Sequence, residues 1–270
     1  MTGEIALSCR FTSFGNAFLA GKPFDRDALN DEPRAVASLT FEVVAGVAGT
    51  QTTRVVAREP RAGFEGLRRA GTRRLALVHG PEDADPKLRP VLAAFSGGGG
   101  TWLIAAHEAQ RTMLWVSRWG LADVPRGSRT PWDVVYVGGS VPLMPAPPPV
   151  DLTRTAAALD RALTDAAAFA ADEPRLKNWI DWFERARRAL SSAAPESLPW
   201  PPQVPLLAPA MHPLAARRLV AAAECAWVFG GMGSWNDYSP PAGKESYRAI
   251  TAALYASVID AVVAGVNALA

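Results

Sequence analysis

Residues 132–170 read WDVVYVGGSVPLMPAPPPVDLTRTAAALDRALTDAAAFA, and the order of structures that they predict decides the fold class. The first of them, Trp132–Val137, are β-branched and aromatic, which is typical of a strand. Pro142–Pro149 then holds five prolines in eight residues and cannot continue a sheet or a helix. Beyond it, Asp151 is placed to cap a helix that carries an apolar stripe. The chain therefore changes from strands to helices at this point.

Strand patterns dominate the sequence before the proline-rich stretch. Alternating or β-branched runs predict strands over Ile5–Phe11, Ala35–Val44, Thr52–Ala57, Leu75–Val78, Thr101–His107 and Arg111–Arg118. Two short helices are predicted among them, over Arg61–Ala70 and Pro86–Phe95. We therefore expect residues 1–141 to form a β-rich region with short helices, in which the sheet is mixed but largely antiparallel.

Helix patterns fill the sequence after the proline-rich joint, residues 142–150. Apolar residues spaced three and four apart predict four helices, over Leu152–Phe169, Leu176–Leu190, Leu214–Phe229 and Tyr247–Leu269. The last two are apolar nearly all round, which predicts that they lie at the centre of the helical C-terminal region, 151–270. Because the helices follow the strands and do not alternate with them, the predicted class is α+β with a four-helix C-terminal region. We expect the two regions to pack as one unit.

Composition and charge narrow the class of protein and its compartment. Hydrophobic residues make up 49% and charged residues 20% of the chain, as in globular proteins. The formal net charge of +2 lacks the strong basic bias of a dedicated nucleic-acid binder. Two distant cysteines, Cys9 and Cys225, form no disulfide framework, and the N-terminus has no secretory signal pattern. A reducing, cytoplasmic location is therefore predicted.

One apolar stretch, Ala249–Ala270, is long enough to span a bilayer. It contains Asp260 and Asn267, and a charge near the middle of a span costs a few kcal/mol on insertion. A buried helix is the better interpretation, and no membrane association is predicted.

The most unusual segment is the loop Gly230–Tyr238, which packs three glycines, a tryptophan and several hydrogen-bonding side chains into nine residues between the two apolar helices. A structural interpretation explains much of it, since Gly230 or Gly231 would end one helix and Asp237 or Ser239 would cap the next. In the functional interpretation, the glycines let the backbone approach a ligand or partner. The predicted binding residues are then Ser234, Trp235, Asn236 and Tyr238.

Three carboxylates make the loop a candidate catalytic site. Glu224 and Asp260 interrupt the two apolar helices, and Asp237 lies in the loop between them. If the three converge on a cleft, burial would raise their pKa values and suit them to work as acid, base or metal ligands. The alternative, which we favour, is that Glu224 and Asp260 pair with nearby arginines or face solvent. The sequence has no zinc-ligand spacing, phosphate-binding loop or nucleophile elbow, so no metal and no particular cofactor is predicted.

A second candidate surface is the segment 102–132, where four tryptophans are interleaved with arginines. The tryptophans are Trp102, Trp115, Trp119 and Trp132, and the arginines are Arg111, Arg118, Arg126 and Arg129. Such a mixture can stack on single-stranded nucleic acid, but Trp and Arg are also enriched where proteins meet each other. The nearly neutral charge favours a protein core or a protein interface.

Three functional hypotheses follow from these observations. The leading one is a partner-binding accessory or inhibitory protein, similar in role to an immunity protein, without catalysis of its own and with another protein as its partner. The alternative is an enzyme of unrecognised type with a carboxylate site at Gly230–Tyr238. The second alternative is nucleic-acid binding through the segment 102–132, which the charge makes the least favoured. The sequence specifies no oligomeric state.

Overall fold

The helices and strands follow the predicted order along the chain, with one exception at the N-terminus. The fold comes from a computed structural model, which describes residues 1, 3–23, 36–45, 52–81, 90, 99–123, 132–198, 205–230, 233–240 and 243–270. The strands are β1 (Val36–Ala45), β2 (Thr52–Ala57), β3 (Arg74–Pro81), β4 (Gly100–His107), β5 (Arg111–Leu121) and β6 (Trp132–Pro142). The α-helices are α1 (Gly3–Leu19), α2 (Pro60–Arg69), α3 (Leu152–Asp172), α4 (Ile180–Ser191), α5 (Leu214–Cys225) and α6 (Lys244–Asn267).

The strands form one mixed, six-stranded sheet in the order β2-β1-β6-β5-β4-β3. Its pairs are antiparallel except β1 with β6, which run parallel in the register Val36↔Trp132 to Val43↔Gly138. The predicted hairpin of β4 and β5 is present, and its turn is closed by a hydrogen bond from Glu108 N to Arg111 O at 3.1 Å. The predicted α+β class, with a largely antiparallel sheet, is confirmed.

The predicted strand over Ile5–Phe11 is wrong, because these residues belong to α1. Leu7, Cys9 and Phe11 alternate with the polar residues Ser8, Arg10 and Thr12 as they would in a strand. The polar residues between them are buried as well, and Arg10 is only 1% exposed. A helix that is covered on nearly all sides has no solvent-facing stripe, so the helical period is hidden in its sequence.

Helix α1 takes part in both hydrophobic clusters of the protein. The first contains Ile5 and Cys9 together with α3, α4, α5 and α6. The second lies between α1, α2 and one face of the sheet and is rich in aromatic rings. There Phe11 stacks on Tyr136, with ring centroids 5.0 Å apart, and lies 4.6 Å from Phe64. The N-terminal helix therefore joins the sheet to the C-terminal helices.

The helices α3 to α6 make up the C-terminal region, as predicted. Asp151 caps α3 by accepting a hydrogen bond from Arg154 N at 2.9 Å. Helices α5 and α6 cross closely at Gly265, where a β-carbon would lie 2.4 Å from Val220 Cγ2 and 3.1 Å from Ala216 O. Helix α6 is long and apolar enough to cross a membrane, but more than half of its most apolar stretch is buried within the protein.

Two helix boundaries differ from the prediction, and one predicted element cannot be compared. Helix α5 ends at Cys225, earlier than expected, and Trp227 and Phe229 follow it as buried residues outside any helix or strand. Helix α6 begins at Lys244, directly after Gly243 in the left-handed conformation. The predicted helix over Pro86–Phe95 lies outside the described residues, apart from its single residue Pro90.

Candidate functional site

The loop Gly230–Tyr238 is held together by its own side chains. The amide of Asn236 accepts a hydrogen bond from Gly230 N at 2.9 Å and donates one to Gly230 O at 3.2 Å. Trp235 N donates to Val228 O at 3.1 Å, which fixes the chain that leaves α5. The amide of Asn236 therefore binds the backbone of its own loop in the way that a neighbouring strand would.

Asp237 is exposed, and its Oδ2 accepts a hydrogen bond from Gly233 N at 2.9 Å. Gly233 has φ +84°, a conformation that glycine adopts without strain. The prediction that Asp237 or Ser239 caps the following helix is wrong, because Gly243 precedes α6 and no side chain caps that end. The carboxylate closes a turn within the loop.

Trp235 anchors the loop to the core and is completely buried. Its indole Nε1 donates to Thr251 Oγ1 at 2.9 Å, and its carbonyl accepts from the hydroxyl of Tyr247. The ring meets Phe183 edge to face, with centroids 5.1 Å apart. Burial raises the pKa of Tyr247 well above its usual value, so this phenol stays a hydrogen-bond donor. Trp235, one of the residues predicted to bind a ligand, is thus part of the hydrophobic core.

The two other residues of the predicted binding set lie at the surface of the loop. Ser234 is partly buried, with its Oγ 3.3 Å from the position that a β-carbon on Gly230 would take. Tyr238 is also partly buried, and its ring lies edge-on to Tyr247 at 5.8 Å. The ring of Tyr238 packs against the hydrophobic cluster around Trp235, and its hydroxyl is buried.

The structure places the three candidate carboxylates in different surroundings. Asp260 is exposed on α6, nine residues beyond Thr251, the residue that binds Trp235; a helix rises about 14 Å over that distance. Asp237 lies near Tyr247, toward the other end of α6. Partial burial raises the pKa of Asp260. Asp237 and Asp260 are therefore not brought together.

Glu224 lies on the last turn of α5, beside two buried thiols. Burial raises the pKa of Cys225 to about 11, and the charge of Glu224 adds to that increase. Burial and the same carboxylate also raise the pKa of Cys9 on α1. Both thiols therefore stay protonated and unreactive at neutral pH. Within the described ranges, no group of three His, Cys, Asp or Glu side chains is placed to hold a metal ion.

A serine–histidine pair that sequence reasoning missed joins α1 to the C-terminal region. Ser13 Oγ lies 2.7 Å from His212 Nε2, and His212 Nδ1 lies 2.9 Å from Ala268 O. A carbonyl only accepts, so Nδ1 carries the proton, Nε2 accepts, and Ser13 donates to it. Ser13 also accepts a hydrogen bond from Ala208 N at 2.8 Å.

The distance between Ser13 and His212 suits a nucleophile and its base, but the surroundings do not. Ser13 is fully buried and His212 is 3% exposed, and burial lowers the pKa of His212. The bond from Ala208 N occupies the hydroxyl oxygen that would attack a substrate. The pair is a buried hydrogen-bond network that ties three parts of the chain together.

The segment 102–132 divides between core and surface. Trp102 and Trp115 are 1% and 5% exposed and belong to the two hydrophobic clusters, so neither offers a face for stacking on a nucleic acid. Arg111 is paired with Glu108 at 2.6 Å. Arg126 and Arg129 lie outside the described residues.

Among the described residues, this segment presents an apolar group to solvent where β5 ends and β6 begins. We call it the tip patch, and it consists of Trp119, Leu121 and Trp132. Leu121 and Trp132 are directly opposite each other in the register and are 77% and 37% exposed. The ring of Trp119 lies edge-on to that of Trp132, with centroids 6.2 Å apart. The tip patch is a continuous apolar surface carried by two paired strands.

A second surface, which we call the basic edge, consists of β2 and the turn after it. Residues 52–69, which form β2 and the adjoining helix α2, contain five arginines against two acidic residues, in a chain whose net charge is only +2. Arg54, Val55, Val56 and Arg58 are all exposed. This local excess of arginine is visible in the sequence, but it disappears when the net charge is taken over each half of the chain.

No protein-family model, curated protein or solved structure matches this chain. Arguments about its function therefore rest on its own residues and on the surfaces described above.

Proposed function

We propose that this chain is a partner-binding protein with an accessory or inhibitory role, and that the tip patch is the surface that contacts its protein partner. The observation that carries the proposal is the exposed pair of Leu121 and Trp132 at the ends of two paired strands. Contiguous apolar patches on a protein surface commonly mark interaction sites.

The composition of the tip patch supports a protein partner. Tryptophan is enriched among the residues that contribute most to binding free energy at protein interfaces, where a pocket on the partner removes it from water. Trp132 is held from one side by Trp119, which lowers the entropy lost when the ring is fixed in a complex. Leu121 widens the apolar surface beside it.

The geometry of the loop Gly230–Tyr238 favours this proposal over a catalytic role. Asn236 and Asp237 both bind backbone groups of the loop itself, so their polar atoms serve the loop's own structure. Asp260 lies toward the other end of α6 from Asp237. Two of the three carboxylates expected of an enzyme are thus apart.

The test is affinity purification from the source cells with three forms of the chain: wild type, the variant L121S/W132S, and the control L143S. Leu143 is 55% exposed outside the tip patch, so the control removes a similar apolar side chain elsewhere. We expect one protein to be retained by wild type and L143S and lost from L121S/W132S. The same difference should persist when that protein is purified and its dissociation constant is measured.

The result that contradicts the proposal is equal binding of that protein by L121S/W132S and wild type. The absence of any stoichiometric partner after chemical crosslinking would also contradict it. Circular dichroism is the fold control and should be unchanged, whereas urea unfolding should show a modest loss of stability, because Trp132 is partly buried and packs against Trp119.

A further inference from the structure

We propose that β2 accepts an extended acidic segment of a protein partner as an added strand. This inference extends partner binding to a second surface, the basic edge, and it does not depend on the tip patch. It rests on two observations. The outer edges of the two terminal strands, β3 and β2, differ in whether side chains bind their backbone, and arginines surround β2.

The outer edge of β3 is closed by side chains. Asn16 on α1 accepts a hydrogen bond from Leu75 N at 2.8 Å and donates to Leu75 O at 2.9 Å. Asn267 on α6 does the same for Leu77, at 2.8 Å in both directions. The backbone groups with which an added strand would pair are thus already bonded on this side of the sheet.

Strand β2 is the terminal strand on the opposite side, and the first five of its six residues are exposed. Its partners among the described elements are β1, with which it pairs, and α2. An outer strand presents a row of backbone N–H and C=O groups that pair readily with an extended segment of another protein. Within the part of the chain that the structure describes, the β3 edge is closed at Leu75 and Leu77, and no strand pairs with the outer side of β2.

The charge of the basic edge indicates what kind of segment fits. Arg54 and Arg58 lie within and directly after β2, and neither forms an ion pair with another described residue. Two other arginines nearby have local contacts: Arg61 pairs with Glu65 at 3.2 Å, and Arg68 lies over the ring of Phe18 at 5.0 Å. A strand that carries carboxylates would meet the two exposed arginines, and this complementarity speeds association and selects the partner.

The same features argue against the other possible occupants. Two copies of this chain would bring two basic edges together, and like charges disfavour that pairing. The described residues from 52 to 74 include one aromatic ring, Phe64, and it is buried, so the basic edge has no exposed ring there on which a nucleobase could stack.

The adjacent residues Val55 and Val56 give the added strand apolar contacts. Side chains of successive residues in a regular strand point to opposite faces, and here both valines remain exposed, at 39% and 42%. Val55 lies opposite Glu42 and the next paired residue is Ala57 opposite Phe41, so Val56 is the additional residue at the irregularity. Residues at such bulges have their side chains re-aimed. A bound segment with alternating acidic and apolar residues would place its apolar side chains against these two valines.

The experiment uses the purified chain and two labelled peptides of about nine residues, the length of an ordinary strand. In one peptide glutamate alternates with valine and threonine, and in the other lysine replaces glutamate. Dissociation constants are measured by fluorescence anisotropy for wild type, R54E/R58E and the control R154E/R161E. The control makes the same change of charge at two exposed arginines on α3.

We expect wild type and R154E/R161E to bind the glutamate peptide at least about tenfold more tightly than the lysine peptide. Arg54 and Arg58 attract the glutamates of the first peptide and repel the lysines of the second. R54E/R58E should reverse this preference. Amide hydrogen exchange should be slowed by the glutamate peptide within 52–57, because strand addition gives those amides new acceptors.

The proposal is overturned if wild type does not bind the glutamate peptide, if R54E/R58E binds it as tightly as wild type does, or if the protected amides lie outside β2. Tighter binding of a single-stranded oligonucleotide than of the peptide would overturn it in favour of nucleic acid. The variant L121S/W132S should bind the peptide as wild type does. Failure at the basic edge is therefore distinguishable from failure of the tip patch.

Discussion

Asn16 and Asn267 lie on different helices, and their amides bind alternate residues on one edge of the same strand. Asn16 pairs in both directions with the backbone of Leu75, and Asn267 pairs in both directions with that of Leu77. The two asparagines are buried, and each replaces the peptide group of a seventh strand. Because α1 and α6 both depend on this arrangement, it couples the edge of the sheet to the packing of the helices.

Replacing Asn267 with alanine should destabilise the fold by about 2–4 kcal/mol. The substitution leaves the N–H and C=O of Leu77 buried without partners, and each such group costs about 1–3 kcal/mol. Unfolding in urea measures the change. Asn178→Ala is the matched control, since that asparagine is exposed and its loss should have almost no effect. Equal stability of the two variants would show that the amide of Asn267 contributes little.

Removing the side chain of Asn16 from the β3 edge should also change the oligomeric state of the protein. In Asn16→Ala, the backbone of Leu75 becomes available for pairing with another chain, as in any unprotected edge strand. We expect concentration-dependent oligomers in light scattering at temperatures where circular dichroism shows the variant to be folded. A variant that stays in the same state as wild type at high concentration would mean that α1 still covers the edge.

His212 should make the stability of the protein depend on pH. Burial lowers its pKa in the folded state, so below about pH 6.5 the unfolded chain binds a proton that the folded chain does not. The free energy of unfolding should therefore fall as the pH is lowered from about 7.5 to about 5.5. His212→Gln should reduce this dependence, whatever its effect at neutral pH.

His107 requires a separate variant in the same experiment. Burial and the charge of Arg74 lower its pKa as well, so its contribution to the pH dependence has the same sign. We expect His107→Gln to reduce the slope independently and the double variant to reduce it most. An unchanged slope in His212→Gln would show that this imidazole is protonated equally in both states.

The contact between α5 and α6 should not tolerate a methyl group at Gly265. The added carbon would lie 2.4 Å from Val220 Cγ2 and 3.1 Å from the carbonyl of Ala216, so the helices must move apart. We expect Gly265→Ala to cost about 1–3 kcal/mol in denaturant unfolding. Gly66→Ala is the control within α2, where a β-carbon meets no atom within 4 Å. The control should stabilise by about 0.5–1 kcal/mol, because glycine is a poor helix former.

Two neighbouring residues of the Gly230–Tyr238 loop should respond differently to alanine. Asn236→Ala removes both partners of the partly buried Gly230 backbone and should cost about 1–2 kcal/mol. Asp237→Ala should have an effect near zero, because water can replace its bond to the exposed Gly233 N–H. A loss at Asp237 as large as that at Asn236 would mean that the turn at Gly233 determines the conformation of the whole loop.

Much of the fold could be predicted because its strands and amphipathic helices carry their own periodicity. Helix α3 shows both its apolar stripe and its cap at Asp151 in the sequence. Helix α1 does not, since Ser8, Arg10 and Thr12 are polar residues that tertiary contacts bury. The parallel pairing of β1 with β6 depends on contacts between distant residues and has no local signal.

The site was harder to predict than the fold, because a polar side chain in a sequence does not indicate what it will bind. Asn236 and Asp237 have the composition of a ligand site, yet they bind the backbone of their own loop. Trp102 and Trp132 are chemically the same, and only the register of the sheet buries one and exposes the other. The excess of arginine around β2 becomes visible when the net charge is counted over short stretches of the sequence and not over each half of the chain.

The asparagine at position 267 also determines when the sheet is complete. It is synthesised 190 residues after Leu77, the residue that it binds. At the usual speed of translation, about 5–20 residues per second, this interval lasts about 10–40 s. During that time the nascent chain carries an edge strand that its own sequence cannot yet close. Chaperones that hold nascent β-strands should therefore improve the yield of soluble protein.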